Sequence, residues 1–254
     1  MRAVSMNAPA SATLLIATRN LHKVGEIRAI LGKQFDYLTL KDFPAAPKVV
    51  EDAGTFAGNA TKKAVELARW LSSSRHVAAS KLSEDGLPIA TRRFFVLADD
   101  SGLEVDALSG APGVHSARYA ALDSGQPGNS SDAENNAKLL RLLKDVPAEK
   151  RSARFRCVLA LTPAIFNPQP STLEASASPV CYADELELET EIFDGTCEGR
   201  IDFGPRGQGG FGYDPLFIPN GYEESFAQLG EDVKNGLSHR AKALAKLKER
   251  FARM

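Results

Sequence analysis

Residues 13–32 read TLLIATRNLHKVGEIRAILG, and this stretch predicts the fold class. Thr13–Ala17 is a short apolar run, typical of a buried strand, and polar residues follow it. From Lys23 onward the apolar side chains recur at helical spacing, and Gly32 predicts the end of that helix. These apolar positions are Val24, Ile27, Ile30 and Leu31. A strand, a polar loop and a helix in this order are the usual opening of an α/β protein that binds phosphate.

The rest of the chain continues to mix helices and strands. Three further helices are predicted: one over Thr55–Leu71, one that begins at a capping box of Ser131 and Glu134, and one after Ser238. Two further strands are predicted over Phe94–Ala98, ending at Asp99-Asp100-Ser101-Gly102, and over Arg154–Leu161. A third, half-exposed strand is predicted to contain Leu186, Leu188, Ile192 and Phe193. Because no internal repeat is present, we expect a single α/β or α+β unit, with two lobes around one sheet.

The composition excludes several classes of protein. With 254 residues, 43% hydrophobic and 25% charged, the chain is neither disordered nor fibrous. Its 31 basic and 32 acidic residues give a net charge of −1, so we expect no general attraction to nucleic acid or to a membrane. No apolar run approaches the ~18–20 residues of a membrane helix. Three cysteines (Cys157, Cys181 and Cys197) without a CxxC pattern favour a reducing, cytoplasmic location.

Three segments are expected to contain no helix or strand of this unit. Residues 1–12 read MRAVSMNAPASA and are expected to be a disordered extension, because the apolar run that follows is shorter than the ~7–15 residues of an export signal. The domain is therefore predicted over residues 13–254. Ser72–Thr91 and Pro163–Pro179 are polar or proline-rich, and we interpret both as loop insertions.

Two adjacent carboxylates, Asp99 and Asp100, follow the second apolar strand. Such a pair repels itself unless a cation or a bound proton offsets the charge. In a strand the two side chains point to opposite sides, so one can bind a metal ion while the other orients it or activates water. An Asx-type turn leading into Ser101-Gly102 is the alternative interpretation. Glu51 is a weaker candidate, because acidic residues before a helix are often caps.

A polar loop, TRNLHK over residues 18–23, lies where the first predicted helix begins. It offers hydroxyl, amide and ammonium donors. A cation at this end opposes the helix dipole, so Lys23 indicates an anion held between its ammonium group and the helix N–H groups. A solvated lysine is the alternative.

The stretch GQGGFG over residues 207–212 matches a dinucleotide-binding pattern by letter. The residues that follow are Tyr213, Asp214 and Pro215, and the proline disfavours a helix there, so we exclude a dinucleotide site. We expect instead a loop in which Phe211 and Tyr213 can stack on a flat ligand, or, alternatively, a tight turn with core aromatics.

The last predicted helix begins with Ser238-His239-Arg240. Ser238 is a good N-cap. His239 and Arg240 gain nothing from the helix dipole in the first turn, which favours an anionic or carbonyl-bearing partner. Lys234 adds a further donor nearby.

Taken in order, the stretches TRNLHK, EDAGTF, LADDSGLEVDAL, GGFGYDPLF and SHRAKAL make the chain resemble the inosine/xanthosine triphosphate pyrophosphatase family, from about Leu14 to Leu247. Members of that family hydrolyse deaminated purine nucleoside triphosphates to the monophosphate and pyrophosphate. The resemblance implies an α/β fold with an elongated mixed β-sheet, flanking helices and two lobes around a nucleotide-binding cleft. It also implies dependence on Mg²⁺ and a homodimer.

The resemblance further implies a role for each matching residue. The triphosphate would be held by Thr18, Arg19, Asn20, Leu21, His22 and Lys23, with Asn20 and Lys23 as the main donors. Mg²⁺ would be bound by Glu51 and Asp100 with support from Asp99, and Asp100 would also be the general base. The nucleoside end would be held by Ser101, Phe211, Gly212, Tyr213, Asp214, Lys234, His239 and Arg240.

In this assignment Phe211 stacks on the purine, and His239 and Arg240 contact its 6-oxo edge. A 6-oxo purine presents an acceptor where adenine presents a donor, so Arg240, which can only donate, would favour inosine and xanthosine over adenosine. Guanine shares that oxygen, and the sequence does not indicate how it would be rejected.

Two residues depart from the family pattern. Arg19 stands where a small residue is common, and Gly58 replaces a frequent glutamate. Two other functions stay open on the residues: a non-catalytic nucleotide-binding or sensing protein on the same scaffold, and a pyrophosphatase for modified pyrimidine nucleoside triphosphates.

Overall fold

The computed structural model describes residues 12–73, 93–125, 127–164 and 189–253. The chain divides into two compact units. Of these described residues, unit 1 comprises 12–52, 58–73, 93–99, 160–164 and 189–192, and unit 2 comprises 53–57, 100–125, 127–159 and 193–253.

Unit 1 contains the opening strand and helix that the sequence predicts. Its elements are β1 (Thr13–Ile16), α1 (Leu21–Leu31), β2 (Asp36–Thr39), most of α2 (Phe56–Ser73) and the first half of β3 (Phe94–Val105). Strand β1 pairs in parallel with β2 and with β3, so that Thr13 lies opposite both Asp36 and Phe94. The β1 side chains of Leu14, Leu15 and Ile16 are fully buried, and each contributes about 1.5–3 kcal/mol to folding.

Unit 2 contains the second half of β3 and most of the elements that follow it. These are α3 (Ala121–Ser124), α4 (Asp132–Leu142), β4 (Ser152–Ala164, whose last residues belong to unit 1), β5 (Glu191–Ile201, whose first two residues belong to unit 1), β6 (Phe217–Pro219), α5 (Phe226–Leu237) and α6 (His239–Ala252). The six strands form one sheet in the order β2-β1-β3-β4-β5-β6, and β5 and β6 are antiparallel. The fold is therefore α/β, as predicted.

Most of the predicted elements are confirmed. The five apolar positions that predict α2 are all buried, namely Phe56, Ala60, Ala64, Leu67 and Leu71. The capping box of Ser131 and Glu134 begins α4, and Gly32, with φ +72°, ends α1. The sequence analysis did not predict β2, α3, β6 or α5.

The expectation that the second apolar strand ends at Asp99 is wrong, because β3 continues to Val105. The alternative of an Asx-type turn at Ser101-Gly102 is wrong for the same reason. Gly102 is required by a close approach rather than by a turn, since a Cβ atom there would lie 2.5 Å from the carbonyl oxygen of Gly113. The two carboxylates therefore lie within a strand.

Two predicted boundaries shift. Helix α2 extends through Ser73 and β4 extends through Ala164, so neither proposed insertion begins where the sequence analysis placed it. The remainder of both insertions, the extension over residues 1–11, Cys181, and Leu186 with Leu188 lie outside the described residues. Within the described ranges, no helix is both long enough and apolar enough to span a bilayer.

Candidate functional site

The loop before α1 is organised by Asn20, which caps the helix. The Asn20 side-chain oxygen accepts hydrogen bonds from the backbone N–H groups of His22 (2.9 Å) and Lys23 (3.3 Å), and the backbone N–H of Asn20 donates to the Thr18 hydroxyl (3.1 Å). The expectation that an anion is held by these helix N–H groups therefore does not hold for His22 and Lys23, because both already donate to the cap.

Two lysines of unit 1 converge on Asp99, whose side chain is 1% exposed. The Lys23 ammonium forms an ion pair with the Asp99 carboxylate. The Lys63 ammonium donates to the Asp99 backbone carbonyl (3.0 Å) and lies 3.1 Å from the Glu51 carboxylate. A buried carboxylate requires such partners, since an unpaired one costs several kcal/mol, as an order of magnitude.

Lys63 is a residue that the sequence analysis missed. It lies on α2 three residues after Ala60 and four before Leu67, so it borders the buried face of the helix, and its side chain is only 12% exposed. A lysine in this position signals a buried partner, because charged side chains on an apolar helix face are rare. The helical spacing of α2 contained that signal.

Arg19, the next residue of the loop, contacts the backbone of unit 1. Its guanidinium donates to the backbone carbonyl of Ala46 at 3.3 Å, which joins the loop to the segment after β2. Leu21 and His22 are exposed.

In unit 2, Asp100 is 6% exposed and directly follows Asp99 on β3. Successive side chains of a strand point to opposite faces, so the two carboxylates are directed apart. The next residue, Ser101, accepts a hydrogen bond from the Arg240 guanidinium at 2.9 Å. Arg240 is 1% exposed, and this contact orients its guanidinium.

The start of α6 is built as the sequence predicts. The Ser238 hydroxyl caps the helix by accepting from the backbone N–H of Ala241 (3.2 Å). The His239 ring stacks on Phe155, with ring centroids 4.9 Å apart and planes inclined by 13°. Ser238, His239 and Arg240 are all buried. The His239 and Arg240 side chains are thus both held by contacts in the first turn of α6.

A second cluster of unit 2 joins Phe211, Asp214 and Lys234. The Asp214 carboxylate accepts from the Phe211 backbone N–H (2.8 Å) and from the Lys234 ammonium (2.6 Å). The same ammonium lies 4.4 Å from the centre of the Phe211 ring, within cation–π range. Gly210, with φ +74°, is required here because a Cβ atom would clash with the Asp214 carboxylate.

The residues on either side of this cluster are also held in place. The Gly212 N–H donates a hydrogen bond to the Asp132 carboxylate, and the Asn136 amide donates one to the Gly212 carbonyl; both side chains lie on α4. The Tyr213 hydroxyl donates to the backbone carbonyl of Ser116 (2.9 Å), and burial raises the pKa of this phenol well above its ordinary value. Tyr213 is therefore a protonated, buried donor rather than an exposed stacking surface. Asp132, Asn136 and Ser116 were not singled out by the sequence analysis.

The predicted site residues thus fall into two sets. Unit 1 contains residues 18–23, Glu51 and Asp99, and unit 2 contains Asp100, Ser101, residues 211–214, Lys234, His239 and Arg240. Among the residues that the structure describes, no cluster of three or more His, Cys, Asp or Glu side chains could hold a metal ion. Mg²⁺ usually takes only one or two carboxylates, with water and substrate phosphates as its other ligands. The carboxylate oxygens of Glu51, Asp99 and Asp100 are donors of the right type for it.

The chain matches the Ham1 family over residues 14–250. Among curated proteins, it is 41% identical over 239 residues to the dITP/XTP pyrophosphatase of Geobacillus kaustophilus, covering 94% of this chain and 93% of the relative. It is 45% identical over 237 residues to the dITP/XTP pyrophosphatase of Geobacter sulfurreducens, covering 93% of this chain and 94% of the relative.

Solved structures resemble it over a similar length. The Ham1 protein of Staphylococcus aureus superposes with a TM-score of 0.67 at 30% identity, covering 94% of this chain and 98% of the other. The nucleoside-triphosphatase / dITP/XTP pyrophosphatase of Mycobacterium abscessus superposes with a TM-score of 0.60 at 34% identity, covering 92% and 98%.

Proposed function

Because this chain belongs to the Ham1 family, we propose that it hydrolyses deaminated purine nucleoside triphosphates, dITP and XTP among them, to the nucleoside monophosphate and pyrophosphate. The observation that carries this proposal is the similarity, over more than nine tenths of both chains, to curated dITP/XTP pyrophosphatases. The enzyme is a hydrolase that acts on a phosphoric anhydride bond.

The triphosphate is assigned to residues 18–23 of unit 1. The Asn20 oxygen caps α1, so its amide NH₂ group is the part that donates to a phosphate oxygen. Lys23 supplies positive charge, and its ion pair with Asp99 supports the proposal by fixing where the ammonium lies. Lys63 adds a second ammonium beside the same aspartate.

The purine is assigned to unit 2. Phe211 offers its ring for stacking, and the Arg240 guanidinium, oriented by Ser101, donates to the 6-oxo group. An adenine amino group would face this donor with another donor and leave both unpaired, which favours oxidised bases. His239 is held against Phe155 beside Arg240.

Asp100 is assigned as the general base that takes a proton from the attacking water. Its burial within β3 keeps the carboxylate in a defined position, and a positioned base contributes roughly 10²–10⁴-fold to such a step. Glu51 and Asp100, with Asp99 in support, are the residues that would hold Mg²⁺. When bound, that ion supplies positive charge which offsets the charge of the departing pyrophosphate.

We propose three further properties on the same basis. Residues 13–254 form one pyrophosphatase domain, which the single family match over residues 14–250 supports. The enzyme is a cytoplasmic homodimer, and the buried thiol of Cys197, which forms no disulfide, supports a reducing location. Light scattering coupled to size-exclusion chromatography measures the oligomeric state.

The test is a steady-state panel of dITP, XTP, dATP, dGTP and a methylated dTTP, with pyrophosphate and orthophosphate both measured, with Mg²⁺ and after its removal by a chelator. We expect pyrophosphate from dITP and XTP, and a loss of turnover without Mg²⁺. Turnover of the pyrimidine nucleotide alone would support a pyrophosphatase for modified pyrimidine nucleoside triphosphates. Binding without turnover would support a nucleotide sensor.

The role of Asp100 is tested by Asp100→Asn, with Asp145→Asn as the matched change at an exposed position. We expect kcat for dITP to fall by at least about 100-fold in the first variant and to stay at the wild-type value in the second. Wild-type turnover by Asp100→Asn would contradict the assignment.

A further inference from the structure

Two polar side chains of α4 hold the backbone of Gly212 from both sides. The Asp132 carboxylate accepts a hydrogen bond from the Gly212 N–H at 2.7 Å. The Asn136 amide donates a hydrogen bond to the Gly212 carbonyl at 3.0 Å. Asp132 and Asn136 are four residues apart, so they lie on one side of the helix, one turn apart.

The glycine they hold has a backbone conformation that few other residues adopt. Its φ is +65°, in the left-handed region, and a Cβ atom there would meet nothing within 4 Å. The requirement for glycine is therefore conformational rather than steric. Because glycine populates positive and negative φ about equally well, the two hydrogen bonds to α4 favour this backbone conformation over the others that glycine allows.

The position of Gly212 makes these contacts relevant to the nucleotide. It stands directly between Phe211 and Tyr213, and the hydrogen bonds of Asp214 and Tyr213 fix only the residues around it. A rotation about the Gly212 backbone would move Phe211, whose N–H donates to Asp214 and whose ring contacts the Lys234 ammonium. Asp132 and Asn136 are the side chains that oppose this rotation at the hinge itself.

The helix that carries them is well anchored in unit 2. It begins with the capping box of Ser131 and Glu134. On the same helix, Asn135 accepts from the backbone N–H of Ala120 (2.9 Å), and Lys138 donates to the carbonyl of Tyr119 (2.7 Å). A rigid helix is the kind of support that a binding loop needs for a defined geometry.

We propose that Asp132 and Asn136 are positioning residues for nucleobase recognition, which act by fixing the Gly212 peptide and thereby the Phe211 ring. This inference rests on the proposed function, and it concerns only the half of the substrate that carries the base. Removing the two side chains weakens binding of the base and reduces discrimination between bases, while the pyrophosphate end of the substrate is bound as before.

The experiment compares Asp132→Ala, Asn136→Ala and the double variant with wild type. The readouts are KM and kcat for dITP, the ratio of kcat/KM for dITP over dATP, and product inhibition by IMP and by inorganic pyrophosphate. We expect the inhibition constant for IMP and the KM for dITP to rise about tenfold in the double variant. The inhibition constant for pyrophosphate should change less than twofold, and the dITP/dATP ratio should fall.

Two further variants separate positioning from general destabilisation. Glu134→Ala removes an acidic side chain from the first turn of the same helix and weakens its cap, without touching Gly212. Asp132→Asn keeps an acceptor oxygen for the Gly212 N–H. We expect both to bind IMP as wild type does.

Each outcome decides the proposal. If Glu134→Ala weakens IMP binding as much as Asp132→Ala does, or if all variants affect IMP and pyrophosphate equally, the effect is one of helix stability and the proposal is overturned. If wild type releases pyrophosphate from dITP and the double variant binds IMP normally, the proposal fails while the proposed function stands. If wild type does not hydrolyse dITP, the proposed function itself fails.

Discussion

The buried ion pair of Lys234 and Asp214 provides a quantitative test of how the cluster of Phe211, Asp214 and Lys234 is held together. The side chains are 4% and 3% exposed, and the ammonium lies 2.6 Å from the carboxylate. Removing one partner of such a pair leaves an uncompensated buried charge and costs about 3–5 kcal/mol. Because Asp214 also accepts from the Phe211 N–H, we expect Lys234→Met to lie at the lower end, with a loss of about 3 kcal/mol in the free energy of unfolding.

A double-mutant cycle isolates the interaction itself. Asp214→Asn leaves Lys234 buried without its carboxylate, and we expect a loss of about 3 kcal/mol here too. The double variant contains no buried charge at this position, so its loss should be smaller than the sum by about 2–3 kcal/mol. Urea unfolding followed by circular dichroism measures all four free energies.

A matched pair on the surface provides the control. Lys246 and Asp194 approach to 2.5 Å, but their side chains are 53% and 58% exposed. Solvent screening predicts that Lys246→Met costs less than about 1 kcal/mol, although its geometry is nearly the same. If the Lys234 cycle is additive within about 0.5 kcal/mol, or if the two lysine variants are equally destabilised, the argument from burial is refuted.

Two other substitutions test the site and the packing beneath it. Phe211→Ala should weaken dITP binding by about 1–3 kcal/mol through lost stacking, which is measured as a rise in KM. The control is Phe203→Ala, at a phenylalanine that is 61% exposed. Equal effects of the two substitutions on KM would contradict a role of Phe211 in stacking. Gly195→Ala would bring a Cβ atom to 2.6 Å from the backbone nitrogen of Ala243 in α6, and should cost about 1–3 kcal/mol in unfolding free energy. Gly25→Ala, on α1 where a Cβ atom meets nothing within 4 Å, should instead stabilise the protein by about 0.5–1 kcal/mol. If Gly195→Ala were as stable as wild type, α6 would be able to move away from β5 at no cost.

The sequence predicted the helices and strands whose apolar residues recur at regular spacing, because that spacing reflects the burial of one face of the element. The apolar stripes of α1, α2 and α6 and the apolar run of β1 report burial on one face, which local sequence contains. Strand β2 has only one buried residue, Leu38, and therefore gave no such signal. Helix α5 is interrupted at Gly230, where φ is +81°, so no continuous stripe crosses it.

The candidate site was predictable where residue type alone indicates chemistry, and not where it depends on long-range pairing. Adjacent aspartates, a glycine-rich loop and basic residues at a helix start are visible in sequence. The Lys63 contact with Asp99 joins residues 36 positions apart, and the Asn136 contact with Gly212 joins residues 76 positions apart. Only the fold brings such partners together, which is why the supporting residues were missed.

The geometry of β3 explains how two neighbouring carboxylates can serve different purposes. If the strand ended before Asp99, as an apolar run followed by polar residues suggests, both side chains would lie in one flexible turn and would compete for the same cations. Within a strand they are directed to opposite faces. The Asp99 carboxylate then forms its ion pair with Lys23 on one face of the strand. Asp100, one residue later, is directed to the other face of the strand, and the proposed assignment gives proton transfer to this second carboxylate. Under that assignment, one step along a buried strand separates the Lys23–Asp99 ion pair from the proposed general base, and this separation requires that β3 continue past both residues.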